Sequence, residues 1–314
     1  MVRSGFTESW HRGTLVVLNA DGTPALRAGD TDAPVFPRSV NKPFQAAAMA
    51  RAGLGLEGPL LALAAASHSG EDFHVAGARE ILTGAGLGED ALRCPPGLPL
   101  GAAAQAALLR AGGQPARVYM NCSGKHAAML ATCVQAGWPV DSYLNPGHPL
   151  QLAIRQTLEE LAREQTAAVG IDGCGAPLFA LSLAGVARAM QAMAVATPGS
   201  PERKVADAMR AHPEWTSGRD RPERALMAAV PGLLLKSGAE GVEGFALPDG
   251  RAVAYKFEDG AARARPALTA ALLGFLGAAG LPAVDLAALC EAGRVPVLGG
   301  GRPVGEIRIT LPAP

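Results

Sequence analysis

The 314-residue sequence is poor in aromatic side chains, which make up 4% of it, and has no excess of either charge: 28 Lys and Arg face 28 Asp and Glu. So few rings exclude a stacking platform for single-stranded nucleic acid. Electroneutrality removes the electrostatic reason to expect nucleic acid or an anionic membrane as partner. Cysteine is also scarce. Cys94, Cys122, Cys133, Cys174 and Cys290 form an odd, sparse set, which excludes a disulfide-dense secreted scaffold and makes a reducing cytoplasm the expected compartment. The first residues, Met1-Val-Arg-Ser-Gly-Phe-Thr-Glu, lack the apolar core of a signal peptide. One uncharged stretch, residues 266–284, approaches membrane-spanning length. It is broken by Gly274, Gly277, Gly280 and Pro282, while Leu268, Leu272, Phe275 and Leu276 share one helical face, so a buried helix followed by a turn is expected.

What is present is a large apolar fraction, 49%, with 18% charged residues, 39 Gly and 25 Pro. That composition gives a compact core with tight turns. No repeat, low-complexity run or charged linker divides the chain, so residues 1–314 are read as one catalytic unit. Thr14-Leu-Val-Val-Leu-Asn enters an Asp21-Gly22 turn, with Ala25-Leu-Arg-Ala returning, which reads as a hairpin. A helix follows Pro43 and stops at Gly53. Residues 60–66 form a buried apolar run. Helical spacing recurs over 71–82, 124–135, 148–163, 201–211 and 221–229. Strand character returns in Gly232-Leu-Leu-Leu-Lys, Gly244-Phe-Ala-Leu, Ala252-Val-Ala-Tyr-Lys-Phe and Gly305-Glu-Ile-Arg-Ile-Thr-Leu. Strands at both ends with helices between predict an α+β fold: an antiparallel sheet built from both chain ends, with a helical region of roughly 43–230 inserted.

Five clusters carry potential chemistry. In Arg38-Ser39-Val40-Asn41-Lys42, hydroxyl and amine are three residues apart, one helical turn, and the spacing occurs once in the chain. A neutral lysine can take a serine's proton if burial or a second cation lowers its pKa; otherwise the pair is a cap and a surface charge. Ala66-Ser67-His68-Ser69-Gly70-Glu71 ends the apolar run, either as a cleft edge or as a helix entry capped by Ser69. Asn121-Cys122-Ser123-Gly124-Lys125-His126 sets thiol, amine and imidazole within five positions. It lacks the glycine spacing of a phosphate loop, which excludes nucleotide binding on that motif. Cys174, bracketed by Gly173 and Gly175, can join Cys122 on one soft metal ion, although either thiol can equally be a buried small residue. Lys256, before an Asp-Gly turn, is an edge charge or a cation beside a bound substrate, with Lys236 in Lys-Ser-Gly a weaker rival for that place.

Taken in order, Arg38-Ser-Val-Asn-Lys-Pro-Phe-Gln45, Ala66-Ser-His-Ser-Gly-Glu71, Asn121-Cys-Ser-Gly-Lys-His126, His148-Pro-Leu-Gln151, Asp172-Gly-Cys174 and Lys256-Phe-Glu-Asp-Gly260 resemble the signatures of one family. It is the L-asparaginase II family of the Rhizobium etli inducible type. The resemblance implies a fold similar to serine β-lactamases, penicillin-binding proteins and Ser-Lys glutaminases. It implies hydrolysis of L-asparagine to L-aspartate and ammonia, by a Ser39–Lys42 dyad with Ser67 and Lys256 as a second dyad beside it. It further implies zinc on Cys122, Lys125 and Cys174, a pocket lined by Arg38, His126 and Asp172, and a homodimer. Two other readings stay open on the residues. A penicillin-recognising acyl hydrolase shares the dyad but has no place for the Cys-x-x-Lys and Asp-Gly-Cys motifs, and a non-enzymatic zinc-binding regulatory module leaves Ser39 and Lys42 without a role.

Overall fold

Why the chain folds as it does is clearest in its first hairpin. After two short strands, β1 (Val2–Arg3) and β2 (Phe6–Thr7), the apolar run Leu15-Val16-Val17-Leu18, with two β-branched valines at its centre, forms β3 (Gly13–Leu18) and buries all four side chains. Asp21 Oδ1 accepts a hydrogen bond from the Thr23 amide, Gly22 takes φ +84°, and β4 (Pro24–Ala28) returns. The computed structural model describes residues 1–312.

A short strand, β5 (Pro34–Val35), leads into a 3₁₀ turn over Arg38–Asn41 and then the helical region. Its helices are α1 (Lys42–Arg51), α2 (Gly58–Ala64), α3 (Asp72–Gly84), α4 (Ala102–Arg110), α5 (Ser123–Ala136) and α6 (Pro149–Ala162). A hairpin the sequence reading did not foresee, β6 (Ala168–Ile171) and β7 (Pro177–Ser182), interrupts the expected all-helical middle. Ser182 then caps α7 (Leu183–Ala194) by accepting from the Gly185 amide, and Ser200 caps α8 (Pro201–Ala211) in the same way through Arg203. The helices α9 (Pro213–Thr216) and α10 (Pro222–Ala229) complete the region. The strands β8 (Leu234–Ser237), β9 (Val242–Ala246) and β10 (Ala252–Phe257) follow, then α11 (Arg265–Phe275), α12 (Leu286–Ala292), β11 (Pro296–Gly299) and β12 (Arg302–Glu306).

The central sheet is antiparallel, in the order β4-β3-β10-β9-β8. Strands from the start of the chain thus pair with strands near residue 250, as an α+β fold of helices on an antiparallel sheet requires. The last strand does not join them. β3 is already flanked by β4 and β10, so β12 pairs instead with β1 and β11 in a separate four-stranded sheet. The third sheet is β5-β7-β6. One hydrophobic cluster runs from Leu15 through the helices to Leu289. On one face of the central sheet, a Cβ on Gly244 would lie 2.9 Å from Val40 and 3.1 Å from Met190, so the 3₁₀ turn and α7 press directly on it. On the other face, Tyr255 and Glu243 bond Thr269 of α11. Residues 266–284 fall in α11 and the turns after it, but the helix is only partly buried: of the expected face Leu272 and Leu276 are buried, whereas Phe275 is exposed; among the described residues no helix is long and apolar enough to cross a membrane.

Candidate active site

Four segments converge at the β8 edge of the central sheet. α1 carries Lys42 in its first turn. Ser67 lies three residues beyond α2, where its amide donates to the Thr216 carbonyl and the next amide, His68, donates to Asn121. The backbone on both sides is therefore fixed before any substrate arrives. Cys122 is the residue just before α5, with Lys125 and His126 in the helix's first turn. Cys174 sits in the β6–β7 turn, closed by Gly175 at φ +87° and by its amide bonding Asp172.

The Lys42 amine is 1% exposed and donates to the Ala66 carbonyl at 2.6 Å, the Ser67 hydroxyl at 2.9 Å and the Cys122 sulfur at 3.1 Å. Three N–H groups thus meet three acceptors. The Lys236 amine, equally buried, lies 3.0 Å from the same Ser67 oxygen and 2.8 Å from the Ser237 carbonyl. Burial holds Lys236 well below the ordinary lysine pKa, and the nearby charge of Lys42 lowers it further. One serine hydroxyl therefore stands between two buried amines.

Ser39 lines the same cavity, of about 340 Å³, together with Ser67, Asn121 and Lys236. The Lys42 amide donates to the Ser39 carbonyl, but among the described residues no hydrogen bond joins the Ser39 hydroxyl to the Lys42 amine, which turns to Ser67 instead. Arg38, just before it, has φ +50°, an uncommon conformation for a side chain-bearing residue, and its Nε donates to Asp172 at 2.9 Å. The strand end packs close behind: a Cβ on Gly238 would sit 2.8 Å from the Pro37 carbonyl and 3.3 Å from the Ser39 amide. Only glycine allows that approach.

Lys256 is not part of this cluster, and the Ser67–Lys256 pairing needs correction. Its amine donates to the carbonyls of Glu240 and Phe257. It lines another cavity, of about 530 Å³, between the first strands and residues 307–312. Lys236 and Lys256 lie on one sheet face, since Lys236 is opposite Gly244, and Lys256 is opposite Val242 two residues along the same strand. Strand order separates them: β8 is at the edge beside Ser67, and β10 is in the middle. The weaker rival holds the place.

The thiols meet beside Lys42. Lys125, 1% exposed, donates to Cys174 at 3.1 Å, and Cys174 in turn lies 3.7 Å from Asp172 Oδ2. A hydrogen bond from the Cys122 thiol, followed by the Lys125 charge, overcomes burial and holds Cys174 as thiolate; Cys122 keeps its proton in that bond. Burial opposes the Lys125 charge, but Cys174 and Cys122 outweigh it and raise that amine. Among the described residues no group of three His, Cys, Asp and Glu side chains is placed to hold a metal ion. The grouping here is two thiols and an amine, and the unpartnered, buried Nε2 of His126 lies next to it in sequence. Two sulfurs and a nitrogen suit a soft ion such as zinc once the Cys122 thiol and the Lys125 ammonium have released their protons, Cys174 being a thiolate already. Arg38, His126 and Asp172 border this group rather than the serine cavity. His126 Nδ1 lies 2.8 Å from the Tyr143 hydroxyl, and none of the three lines the cavity. Sequence reasoning missed Arg221, Glu223 and Arg265 in the cavity wall, where no motif pointed to them.

Comparison with known proteins now gives the class: over residues 1–309 the chain matches the family description of L-asparaginase II. It belongs to the L-asparaginase II family. Among solved structures it is similar to Mglu in its native form, at 15% identity and TM-score 0.41 over 79% of this chain and 60% of that one. It is also similar to Mglu in the presence of 4.3 M NaCl, at 14% identity and TM-score 0.42 over 79% and 56%. The chain thus spans less than two thirds of those chains' length. No curated protein sequence matches it.

Proposed function

We propose that the protein hydrolyses L-asparagine to L-aspartate and ammonia by acyl transfer. The observation that carries this reading is the Ser67 hydroxyl, 2.9 Å from one buried amine and 3.0 Å from another, in a cavity that Ser39 shares. Lys42, with an acceptor for each N–H, is the cation. Lys236, neutral through burial and through that cation, accepts the Ser67 hydroxyl proton. Ser39 attacks the side-chain amide carbonyl of asparagine. Its proton passes to Ser67 as the Ser67 proton passes to Lys236. The relay then runs backwards and protonates the departing ammonia. Water takes the place of ammonia, uses the same relay, and releases aspartate from Ser39. Lys42 lies one helical turn beyond Ser39 and fixes the Ser67 end of the relay; the expectation that it takes the Ser39 proton directly gives way, because its three N–H groups are engaged elsewhere.

A second reading makes Ser67 itself the nucleophile, and the two amines on its oxygen favour it. Ser39→Ala and Ser67→Ala separate the two. On the first reading, Ser39→Ala lowers kcat at least about 10³-fold and abolishes the acyl-enzyme seen by intact-mass spectrometry. A Ser39→Ala protein that still acylates makes Ser67 the attacking group. The direct test of the activity is ammonia release from L-asparagine and L-glutamine, with and without added zinc; stable labelling of Ser39 by a β-lactam with no ammonia release would instead support the penicillin-recognising reading.

Cys122, Lys125 and Cys174 are the residues that would hold zinc. Bound there, it would supply a fixed positive charge near the substrate without generating the nucleophile. Dialysis against chelator is then expected to raise KM more than it lowers kcat. We also propose a homodimer in a reducing cytoplasm, the former checked by light scattering.

A further inference from the structure

The cavity that holds the serines has a second charged wall. Arg221 and Glu223, at the start of α10, and Arg265, at the start of α11, line it with the two serines and Lys236. Glu223 is 8% exposed, and the Arg265 side chain is 12% exposed. Charges this deep are costly unless they are paired closely. Other pairs in the protein are closer, as in Arg51 Nε on Glu202 at 2.5 Å, or Arg203 Nε shared between both Asp207 oxygens at 2.8 Å. Here the pairing is slack. Arg221 reaches Glu223 Oε1 at 3.3 Å and Arg265 reaches it only at 4.0 Å. Glu223 Oε2, Arg221 Nε and Arg265 Nε have no partner at all. Arg265 is anchored by one bond, from Nη1 to the Gly238 carbonyl at 2.9 Å, directly beyond Lys236 and Ser237.

Two guanidiniums and one carboxylate, under-paired and facing a cavity, match a ligand that itself carries both signs at one end. We infer that Arg221, Glu223 and Arg265 form the head-group subsite for an α-amino acid, the guanidiniums taking its α-carboxylate and Glu223 its α-ammonium. Guanidinium matches carboxylate geometry in a fork, and charge-assisted bonds of this kind are the strong ones. With the head group held there, the side-chain amide extends toward Ser39 and Ser67. The substrate is then restricted to free amino acids with a side-chain amide. Amides lacking either head-group charge leave a buried partner unpaired and are rejected.

This inference rests on the amidohydrolase reading of the serines, and its test separates the two. L-asparagine is compared with succinamate, which lacks only the α-amino group, and with 3-aminopropanamide, which lacks only the α-carboxylate. Wild type is expected to prefer L-asparagine over each in kcat/KM. In Glu223→Gln the preference over succinamate is expected to fall about tenfold to a hundredfold, the value of one charged hydrogen bond. In Arg221→Gln the preference over 3-aminopropanamide falls instead. A variant that slows all three substrates in equal proportion has a merely structural role, and that result overturns the subsite. If wild type releases no ammonia from L-asparagine, the activity falls, and calorimetric titration with L-aspartate decides the subsite alone. Binding that weakens at least tenfold in Glu223→Gln supports it, and absence of binding to wild type overturns it. Thermal unfolding confirms that each variant is folded before it is scored.

Discussion

Lys236 and Lys256 show how far a single residue can be read from sequence. Both are the next-to-last residue of a strand, both precede a turn with glycine, and both occupy the same face of the same sheet. Parity of the strand pattern cannot choose between them; the strand order does, and order is a property of long-range pairing. Cys122 and Lys125 are three residues apart at the start of α5, and Cys174 stands between two glycines, so their nearness to one another or to a turn follows from spacing alone. Lys236→Met is expected to lower kcat/KM by about 10² to 10⁴, the range for a missing general base. Lys256→Met, whose amine bonds only the carbonyls of Glu240 and Phe257, is expected to stay within about twofold. The opposite ranking would return Lys256 to the site. The pH profile follows from the same amine. Burial lowers the Lys236 pKa, so it is the neutral form that accepts a proton from Ser67; as pH falls through that lowered pKa, Lys236 becomes charged and kcat/KM declines with unit slope on the acid side. An acid limb that survives unchanged in Lys236→Met belongs to another group.

At the scale of elements, the amphipathic helices and the first hairpin were visible because their periodicity is local. The β6–β7 hairpin was not. Its turn, Asp172-Gly-Cys-Gly, reads as a loop, and its strands are short: β6 is mostly exposed, whereas β7 is buried along its whole length, so neither alternates. Helix α7 was missed for a related reason, since ten of its twelve residues are buried and no polar face marks the period. Contacts between elements are equally silent in sequence, and one of them sets the thiol geometry. At Gly124, the second residue of α5, a Cβ would lie 2.5 Å from Leu63 Cγ and 2.8 Å from the Leu63 carbonyl on α2. Backbone cannot yield cheaply, so Gly124→Ala must push α5 away from α2, and Cys122 and Lys125 with it. The expected cost is about 1–3 kcal/mol of stability, the usual penalty for overpacking. Zinc content measured by atomic absorption should fall together with activity. Wild-type stability in Gly124→Ala would mean that the two helices can slide apart freely.

For the molecule as a whole, the consequence of burying so much polar machinery is sensitivity to acid. His68 and His74 are both inaccessible to solvent and stack at 5.0 Å between ring centroids, beneath the Ser67 segment. Burial is the main reason both resist protonation. For His68 the charges of His74 and Lys42 add to it; for His74 the Glu214 carbonyl and Glu71 oppose it only in part, leaving a pKa of about 4. In the unfolded chain each histidine titrates near 6.5. Between those values the unfolded state binds protons that the native state refuses, so stability rises with pH and is lost as pH falls below about 6.5. Each such histidine costs about 1.4 kcal/mol per pH unit, which for His74 alone comes to about 3 kcal/mol by pH 4. Carboxylates with lowered pKa, among them Glu71 and Glu159, add their own loss only below their ordinary value of 4.5, so the window from 6.5 to 4.5 belongs to the histidines. Urea unfolding at half-unit steps should show stability falling steadily across that window, with His74→Gln reducing the slope by about one proton. A flat response between pH 6.5 and 5 would mean that the pair takes up protons while folded and that the Ser67 segment rests on something softer than two neutral, stacked imidazoles.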